Sequence, residues 1–151
     1  MIRAADILMG FRCMIKMHES FLKEICERYH LTLIEGSILM FLHNNPGKDT
    51  AADIVELRML SKGNVSQAVE ALIKRNLLER HPDLHDRRKI HLSLLPETEE
   101  IIADMDQMRQ RFHQELFWNL SEEEQEQFAS FNGRIFENAK RAMKREKNHE
   151  R

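Results

Sequence analysis

Residues 60–76 read LSKGNVSQAVEALIKRN, and this stretch decides the fold of the chain. Ser61 is a favoured helix N-cap, because its hydroxyl can accept a hydrogen bond from a backbone N–H of the first turn. Asn76 tolerates the left-handed conformation that often follows a helix. Between them, apolar residues recur at three- and four-residue steps: Val65, Ala68, Val69, Leu72 and Ile73. This spacing predicts an amphipathic helix over about Lys62–Arg75, with one buried face and one polar face.

A basic loop follows this helix, between two short extended segments. Leu77–Arg80 forms the first, and in the second Ile90, Leu92 and Leu94 alternate with polar residues, as in a half-buried strand. The intervening sequence HPDLHDRRK, residues 81–89, is too long for a two-residue hairpin turn and too polar for a core. We therefore expect a β-hairpin whose loop, residues 81–89, is a cationic wing.

Three helices are predicted before residue 60. Periodic apolar residues indicate a first helix over about Ala4–Arg28. Thr32 with Glu35 makes a capping-box pattern, which predicts the start of a second helix. Thr50 with Asp53 makes a similar pattern for a short third helix. The residues expected to be buried in the second and third helices are Ile34, Ile38, Leu39, Leu42, Ile54 and Leu57.

Two further helices are predicted after the hairpin. Pro96 suits the first turn of a fifth helix, which is expected to end near Leu120. Ser121 with Glu124 makes another capping box and opens a sixth helix. These helices carry many large apolar side chains: Phe112, Phe117, Trp118, Phe128, Phe131 and Phe136. A small winged domain cannot cover that much apolar surface alone, so we expect a second copy of the chain to do so, the alternative being that the helices pack on each other.

The composition bounds the class of protein. The chain has 151 residues, 42% of them hydrophobic and 32% charged, which is typical of a soluble globular protein rather than a disordered one. No apolar run approaches the roughly 20 residues of a membrane-spanning helix, and we expect a cytoplasmic protein. The two cysteines cannot form a multi-bridge scaffold, and the five glycines are isolated, which excludes a P-loop and a dinucleotide-binding fingerprint. We therefore predict neither an enzyme nor a bound cofactor.

The net charge of −2 is unevenly distributed along the chain. Residues 48–91 hold nine Lys and Arg against seven Asp and Glu, whereas residues 92–138 hold three against eleven. The acidity thus lies outside the segment that contains the predicted amphipathic helix and the wing. Its repulsion would be screened beyond about 8–10 Å, so the charge distribution permits contact with a polyanion.

The order of elements and several short motifs resemble the MarR (multiple antibiotic resistance regulator) family of winged helix-turn-helix transcriptional regulators. The motifs are LT at 31–32, ADI at 52–54, LSKGNVS at 60–66, DRR at 86–88 and LSL at 92–94. The wing is the most specific of them, because the family pattern of Asp, any residue, Arg and two later apolar residues falls on Asp86, Arg88, Leu92 and Leu94. The sequence departs from the family at Pro96, where a Gly-containing helix start is common, and at Asn76, where a turn glycine is usual.

The resemblance implies a mainly α fold with a small β-hairpin wing in a single chain spanning residues 1–151. A winged helix-turn-helix region is expected over residues 31–95, with helical dimerisation regions over residues 1–30 and 96–151. It further implies a homodimeric repressor that binds operator double-stranded DNA and whose affinity a small aromatic effector modulates.

One face of the predicted helix over residues 62–75 is interpreted as the DNA-reading surface. With Val65 inward, the helical period of 100° per residue directs the polar residues outward or to the flanks. They are Lys62, Gly63, Asn64, Ser66, Gln67 and Lys74. Asn64 and Gln67 can pair bidentately with adenine, and Gly63 allows close approach of the helix start. Lys62 and Lys74 are assigned to phosphates; the alternative is a solvated helix face without a partner.

In the wing, the resemblance implies that Asp86 positions Arg88, which leaves Arg87 free to enter a minor groove, although either arginine could reach it. Arginine suits that role because a narrow A·T-rich minor groove concentrates negative potential. His81 and His85 beside carboxylates also fit a metal chelate, but a strand-like loop lacks helical i, i+4 geometry, so a solvated loop is favoured.

Two regulatory sites are hypothesised in the first helix. His18 lies on its apolar stripe near Met14, and both are candidates for an effector pocket, although such a histidine is more often a hydrogen-bonded core residue. Cys13 is a candidate redox sensor, but no neighbouring motif marks its thiolate as activated, which favours an inert thiol. A different function, a winged-helix adaptor that contacts proteins without specific DNA binding, would suit the acidic segment equally well.

Overall fold

A computed structural model describes residues 1–149, which form six helices and one two-stranded sheet. The mainly α fold with a small hairpin is confirmed. In chain order the elements are α1 (Ala4–Arg28), α2 (Leu33–Asn44), α3 (Ala51–Arg58), α4 (Lys62–Lys74), β1 (Leu78–Pro82), β2 (Ile90–Leu94), a 3₁₀ turn (Pro96–Thr98), α5 (Glu99–Leu116) and α6 (Glu122–His149). None of the helices in the described residues combines the length and hydrophobicity that crossing a lipid bilayer requires.

Met1–Phe112 form one compact unit with its own hydrophobic core. At its centre lies α2, which is buried on nearly all sides and not only along the predicted stripe. Ile38 and Leu39, which belong to that stripe, are fully buried, and Phe41, which does not, is nearly so. Against α2 pack the apolar face of α4 and residues of α1, the hairpin and α5. A second unit begins at His113 and contains α6, in which no residue is buried.

The predicted starts of α2, α3, α4 and α6 are confirmed, and side-chain caps account for them. α5 begins later than predicted, at Glu99, because Pro96 lies in a separate 3₁₀ turn over Pro96–Thr98. The Thr50 hydroxyl accepts from the Asp53 backbone N–H, and the Asp53 carboxylate accepts from Thr50 in return. Ser121 and Glu124 form the same reciprocal arrangement at the start of α6. Thr32 caps α2 by accepting from the backbone N–H of Glu35 at 3.2 Å.

Several boundaries differ from the prediction. α4 ends at Lys74, one residue early, and Asn76 has a φ of 59°, the left-handed conformation expected of it. β1 runs over Leu78–Pro82 rather than Leu77–Arg80, because pairing with β2 continues as far as Pro82 opposite Ile90. α5 ends at Leu116 rather than near Leu120, since a turn with Asn119 at a φ of 61° closes it.

The prediction that Leu57 is buried is wrong, because its side chain is 52% exposed. α3 is only two turns long, and Ile54 is its single fully buried residue. Met59 follows in the left-handed conformation and redirects the chain toward α4. The last turn of α3 therefore faces solvent instead of the core.

Candidate nucleic-acid interface

The polar face of α4 is open to solvent along its length. The six residues assigned to DNA reading are all exposed: Lys62, Gly63, Asn64, Ser66, Gln67 and Lys74. On the opposite face Val65 and Leu72 are fully buried, and Val69 is 4% exposed. The rotation of α4 about its axis is therefore fixed by its core contacts, and it presents the predicted polar set on one surface.

The start of α4 combines a side-chain cap with a glycine that the protein's own packing does not require. The Ser61 hydroxyl accepts from the Asn64 backbone N–H at 3.2 Å. A Cβ atom at Gly63 would meet no other atom within 4 Å. Glycine weakens a helix by about 0.5–1 kcal/mol relative to alanine, so this position leaves the start of α4 open at some cost in helix stability.

An acidic residue on the same exposed face is paired within the molecule. Glu70 points outward and would repel phosphate, but its carboxylate is bonded to the guanidinium of Arg80 on β1. The pair neutralises Glu70 and connects α4 to the hairpin. Sequence reasoning missed Arg80, because no sequence periodicity records a pairing between a helix and a strand; on β1 Arg80 lies on the same face as the buried Leu78 and opposite Leu92.

Two aspartates fold the wing. Asp83 Oδ2 accepts from the backbone N–H groups of His85 and Asp86, at 2.9 and 2.8 Å. Asp86 Oδ1 accepts from the backbone N–H of Arg88 at 3.0 Å. The backbone N–H of Asp83 also donates to the Lys89 carbonyl at 3.0 Å and closes the loop. The wing thus takes its shape from side chain to backbone hydrogen bonds in place of a hydrophobic core.

The wing places two arginines at the surface. Arg87 and Arg88 are exposed, and within residues 1–149 neither guanidinium makes a salt bridge. Asp86 contacts Arg88 through the backbone N–H, so it orients the chain from which both side chains leave. Both cations are therefore available to an anionic partner.

A histidine that the sequence analysis treated only as a polar strand position joins the wing to the helices. His91 on β2 has its Nδ1 2.6 Å from Asp49 Oδ1 and its Nε2 2.7 Å from Asp83 Oδ1. The hydrogen bond with Asp49 is the main reason that the pKa of His91 is raised above its usual value, and the bond with Asp83 adds to the effect. The same ring is the main reason that the pKa of Asp83 falls to about 2, with the two backbone N–H donors adding to the effect.

The predicted regulatory residues lie in α1. Met14 and His18 are half-buried, and the His18 ring stands edge-on to Phe112 at 5.1 Å between centroids. Burial lowers the pKa of His18, and the charge of Arg58 adds to that effect. Cys13 is exposed, whereas Cys26 is buried and its pKa is raised to about 11, chiefly by that burial.

The wing histidines do not gather with carboxylates into a metal-binding group. Among residues 1–149, no cluster of three or more His, Cys, Asp or Glu has the geometry to hold a metal ion. His81 is instead paired with Glu79 on its own strand at 2.8 Å.

This chain is similar in sequence to known transcriptional regulators. Residues 29–89 match the sequence model of the MarR family. The chain is 28% identical over 120 residues to the uncharacterized HTH-type transcriptional regulator YsmB of Bacillus subtilis, with 80% of this chain and 82% of that protein covered.

Two solved structures share the fold. One is the S. aureus MepR protein in its DNA-binding conformation, with a TM-score of 0.78, 21% identity, and 88% of this chain and 98% of that chain covered. The other is Staphylococcus aureus MarR in complex with salicylate and kanamycin, with a TM-score of 0.73 and 18% identity, and with 91% of this chain and 93% of that chain covered. The chain is thus similar in sequence to the MarR family over residues 29–89, and its fold is similar to that of MepR and of S. aureus MarR.

Proposed function

We propose that this protein is a sequence-specific, double-stranded DNA-binding transcriptional regulator. The observation that carries the proposal is the pairing of two exposed surfaces on one compact unit: the polar face of α4, and the wing with its two arginines outside any salt bridge in residues 1–149. An amphipathic helix of this kind fits the major groove, where base edges are distinguishable, while arginine side chains fit the minor groove. That MepR has been solved in a DNA-binding conformation supports the same use of the shared fold.

The two surfaces are expected to contribute differently. Asn64 and Gln67 carry amide groups that match adenine in the major groove, so α4 is proposed to supply base specificity. The guanidinium groups of Arg87 and Arg88 are proposed to neutralise phosphates or to enter the narrow minor groove, so the wing is expected to supply much of the affinity. Lys62 and Lys74, at the two ends of α4, are proposed to contact phosphates.

Binding to the DNA that flanks the protein's own gene tests this function. Fluorescence anisotropy at fixed salt should show a dissociation constant for that duplex at least about a thousandfold lower than for a scrambled duplex of equal length. If both duplexes bind in the non-specific range of roughly 10⁻⁴–10⁻⁶ M, the DNA-regulator proposal fails and a protein-binding adaptor replaces it.

We further propose that the protein acts as a homodimer. On α1 the side chains of Leu8 and Met9 are 56% and 65% exposed, and on α6 those of Phe131 and Phe136 are 56% and 57% exposed. Apolar patches of this kind on helices are usually covered by a partner. Sedimentation should therefore give a dimer for the natural chain and a monomer for Phe131→Glu/Phe136→Glu, with Glu126→Gln as a dimeric control. A natural chain that sediments as a monomer at micromolar concentration would remove the dimer.

Repression relieved by a small aromatic anion is the proposed mode of regulation. His18, Phe112 and Phe21 form a chain of edge-on rings, at 5.1 and 6.3 Å between centroids. The guanidinium of Arg111 lies 4.2 Å from the centre of the Phe21 ring. Aromatic edges beside a cation suit a ligand such as salicylate, which the S. aureus MarR structure contains.

Salicylate provides the test. It should release the natural chain from its operator and raise transcription of a reporter, with a weaker effect on His18→Asn at equal protein stability. Equal release of both proteins would remove His18 from the effector site, and absence of release would remove salicylate as a suitable effector.

A further inference from the structure

We propose that His91 is a positioning residue for the wing: its doubly protonated ring joins Asp49 to Asp83, and loss of one proton releases the wing and weakens DNA binding. The DNA-binding half of this proposal rests on the proposed function. The junction itself is a property of the free protein and can be measured without DNA.

The geometry of the ring requires the cation. Both ring nitrogens lie within hydrogen-bond distance of a carboxylate oxygen, at 2.6 Å for Asp49 and 2.7 Å for Asp83. An ionised carboxylate only accepts hydrogen bonds, and a neutral imidazole donates from one nitrogen alone. A neutral ring would therefore set one lone pair against a carboxylate, whereas the imidazolium donates to both.

The two carboxylates belong to different parts of the molecule. Asp49 precedes α3, and its backbone carbonyl accepts from the Leu92 N–H at 2.8 Å, which fixes it to the scaffold beside β2. Asp83 opens the wing, and its second oxygen accepts from the N–H groups of His85 and Asp86. The carboxylate that His91 holds is thus the one that shapes the turn immediately before Arg87.

Several other charged groups surround the ring. Across the hairpin, His81 is the register partner of His91 and is paired with Glu79. On the other side, the backbone of Thr50 forms a β-bridge with that of His91. Asp53, which is bonded to Thr50, is close enough to Lys48 and Lys89 for their charges to help lower its pKa. The two carboxylates in direct contact outweigh the more distant cations, since they raise the pKa of His91.

The direction of the pH effect follows from that raised pKa. The junction is complete below the ordinary histidine pKa and is lost as pH rises through the raised value in the folded protein. Asp83, with a pKa of about 2, remains ionised throughout that range and does not interfere. DNA affinity should therefore decrease as the pH rises through that raised value.

The test compares His91→Gln with His85→Gln, which removes a histidine ring from the same hairpin without changing the side chains of the junction. The ring resonances and the backbone ¹⁵N order parameters of residues 84–88 are followed by NMR from pH 6 to pH 9.5, without DNA. Operator affinity is measured over the same range at constant ionic strength. Asp49→Asn is a second variant, which keeps an acceptor oxygen but removes one charge and should lower the pH at which the wing is released.

For the natural chain and His85→Gln, wing order and DNA affinity should decrease together as His91 loses its proton, with affinity reduced by about tenfold. His91→Gln should show a disordered wing and weak binding at every pH. The proposal is overturned if His91 titrates at or below its ordinary pKa, or if the wing stays ordered through that titration. If the wing is released but DNA affinity is unchanged, the link between the junction and DNA binding is overturned. If no duplex binds specifically at any pH, the proposed function fails, and the NMR data still show whether His91 holds the wing.

Discussion

Helix α4 and the wing are neighbours that are held in place by different physical means. α4 buries Val65, Ala68, Val69 and Leu72 in the core, so hydrophobic packing fixes its rotation. In the wing, Leu84 is 93% exposed, and the loop is shaped by the hydrogen bonds of Asp83 and Asp86 and by the His91 junction. In the proposed function, base reading, which requires fixed geometry, is assigned to the packed element, and phosphate contact, which tolerates movement, is assigned to the polar one.

The largest expected effect tests this difference through stability. Leu72→Ala should reduce the free energy of unfolding by about 2–5 kcal/mol, because it leaves a cavity under α4. Leu84→Ala removes the same atoms from the wing and should change that free energy by less than about 0.5 kcal/mol. Urea unfolding monitored by circular dichroism measures both, and equal losses would show that the wing has a hydrophobic core after all.

The second effect separates specificity from general affinity. Asn64→Ala and Gln67→Ala should each weaken operator binding by about 1–3 kcal/mol, because each removes a bidentate contact to a base. Binding to a scrambled duplex should stay the same, since neither side chain is assigned to phosphate. Competition anisotropy with the two duplexes measures the ratio, and a parallel loss on both would assign these residues to the backbone.

The smallest effect concerns Gly63. Gly63→Ala should raise the free energy of unfolding by about 0.5–1 kcal/mol, because alanine favours the helix and a Cβ there meets no atom of the protein. The same substitution should weaken DNA binding, since the added methyl group stands where the helix start approaches the duplex. Gly133→Ala, where a Cβ also meets no other atom, is the control for helix stability without an effect on DNA. Unchanged operator affinity for Gly63→Ala would remove Gly63 from the interface.

The helices were predictable from the sequence because each carries strong local signals. Ser61 and Thr50 cap their helices as their neighbours in the sequence indicate, and the three- and four-residue spacing identifies the buried face of α4. Local signals fail where tertiary contacts decide. Leu57 fits a helical stripe but faces solvent, since no element covers the last turn of α3.

The polar connections of the site could not be predicted, because they join residues far apart in the chain. Arg80 is paired with Glu70 across ten positions, and His91 with Asp49 across forty-two. No sequence periodicity records such pairs. The sequence also left open the role of residues 140–151, which hold six Lys and Arg against two Glu. α6 includes this segment as far as His149, and Glu150 and Arg151 lie outside the described residues.

The salt dependence of operator binding by Arg87→Ala/Arg88→Ala tests the division of labour between α4 and the wing most directly. If both arginines neutralise phosphates, the slope of log affinity against log salt should become less steep by nearly two, at about 0.9 for each phosphate that is no longer neutralised. Preference for the operator over a scrambled duplex should be largely retained. Lys16→Ala/Lys23→Ala, which removes the same charge from the exposed side of α1, should leave the slope unchanged. An unchanged slope and affinity for the arginine variant would contradict the assignment of the wing to DNA.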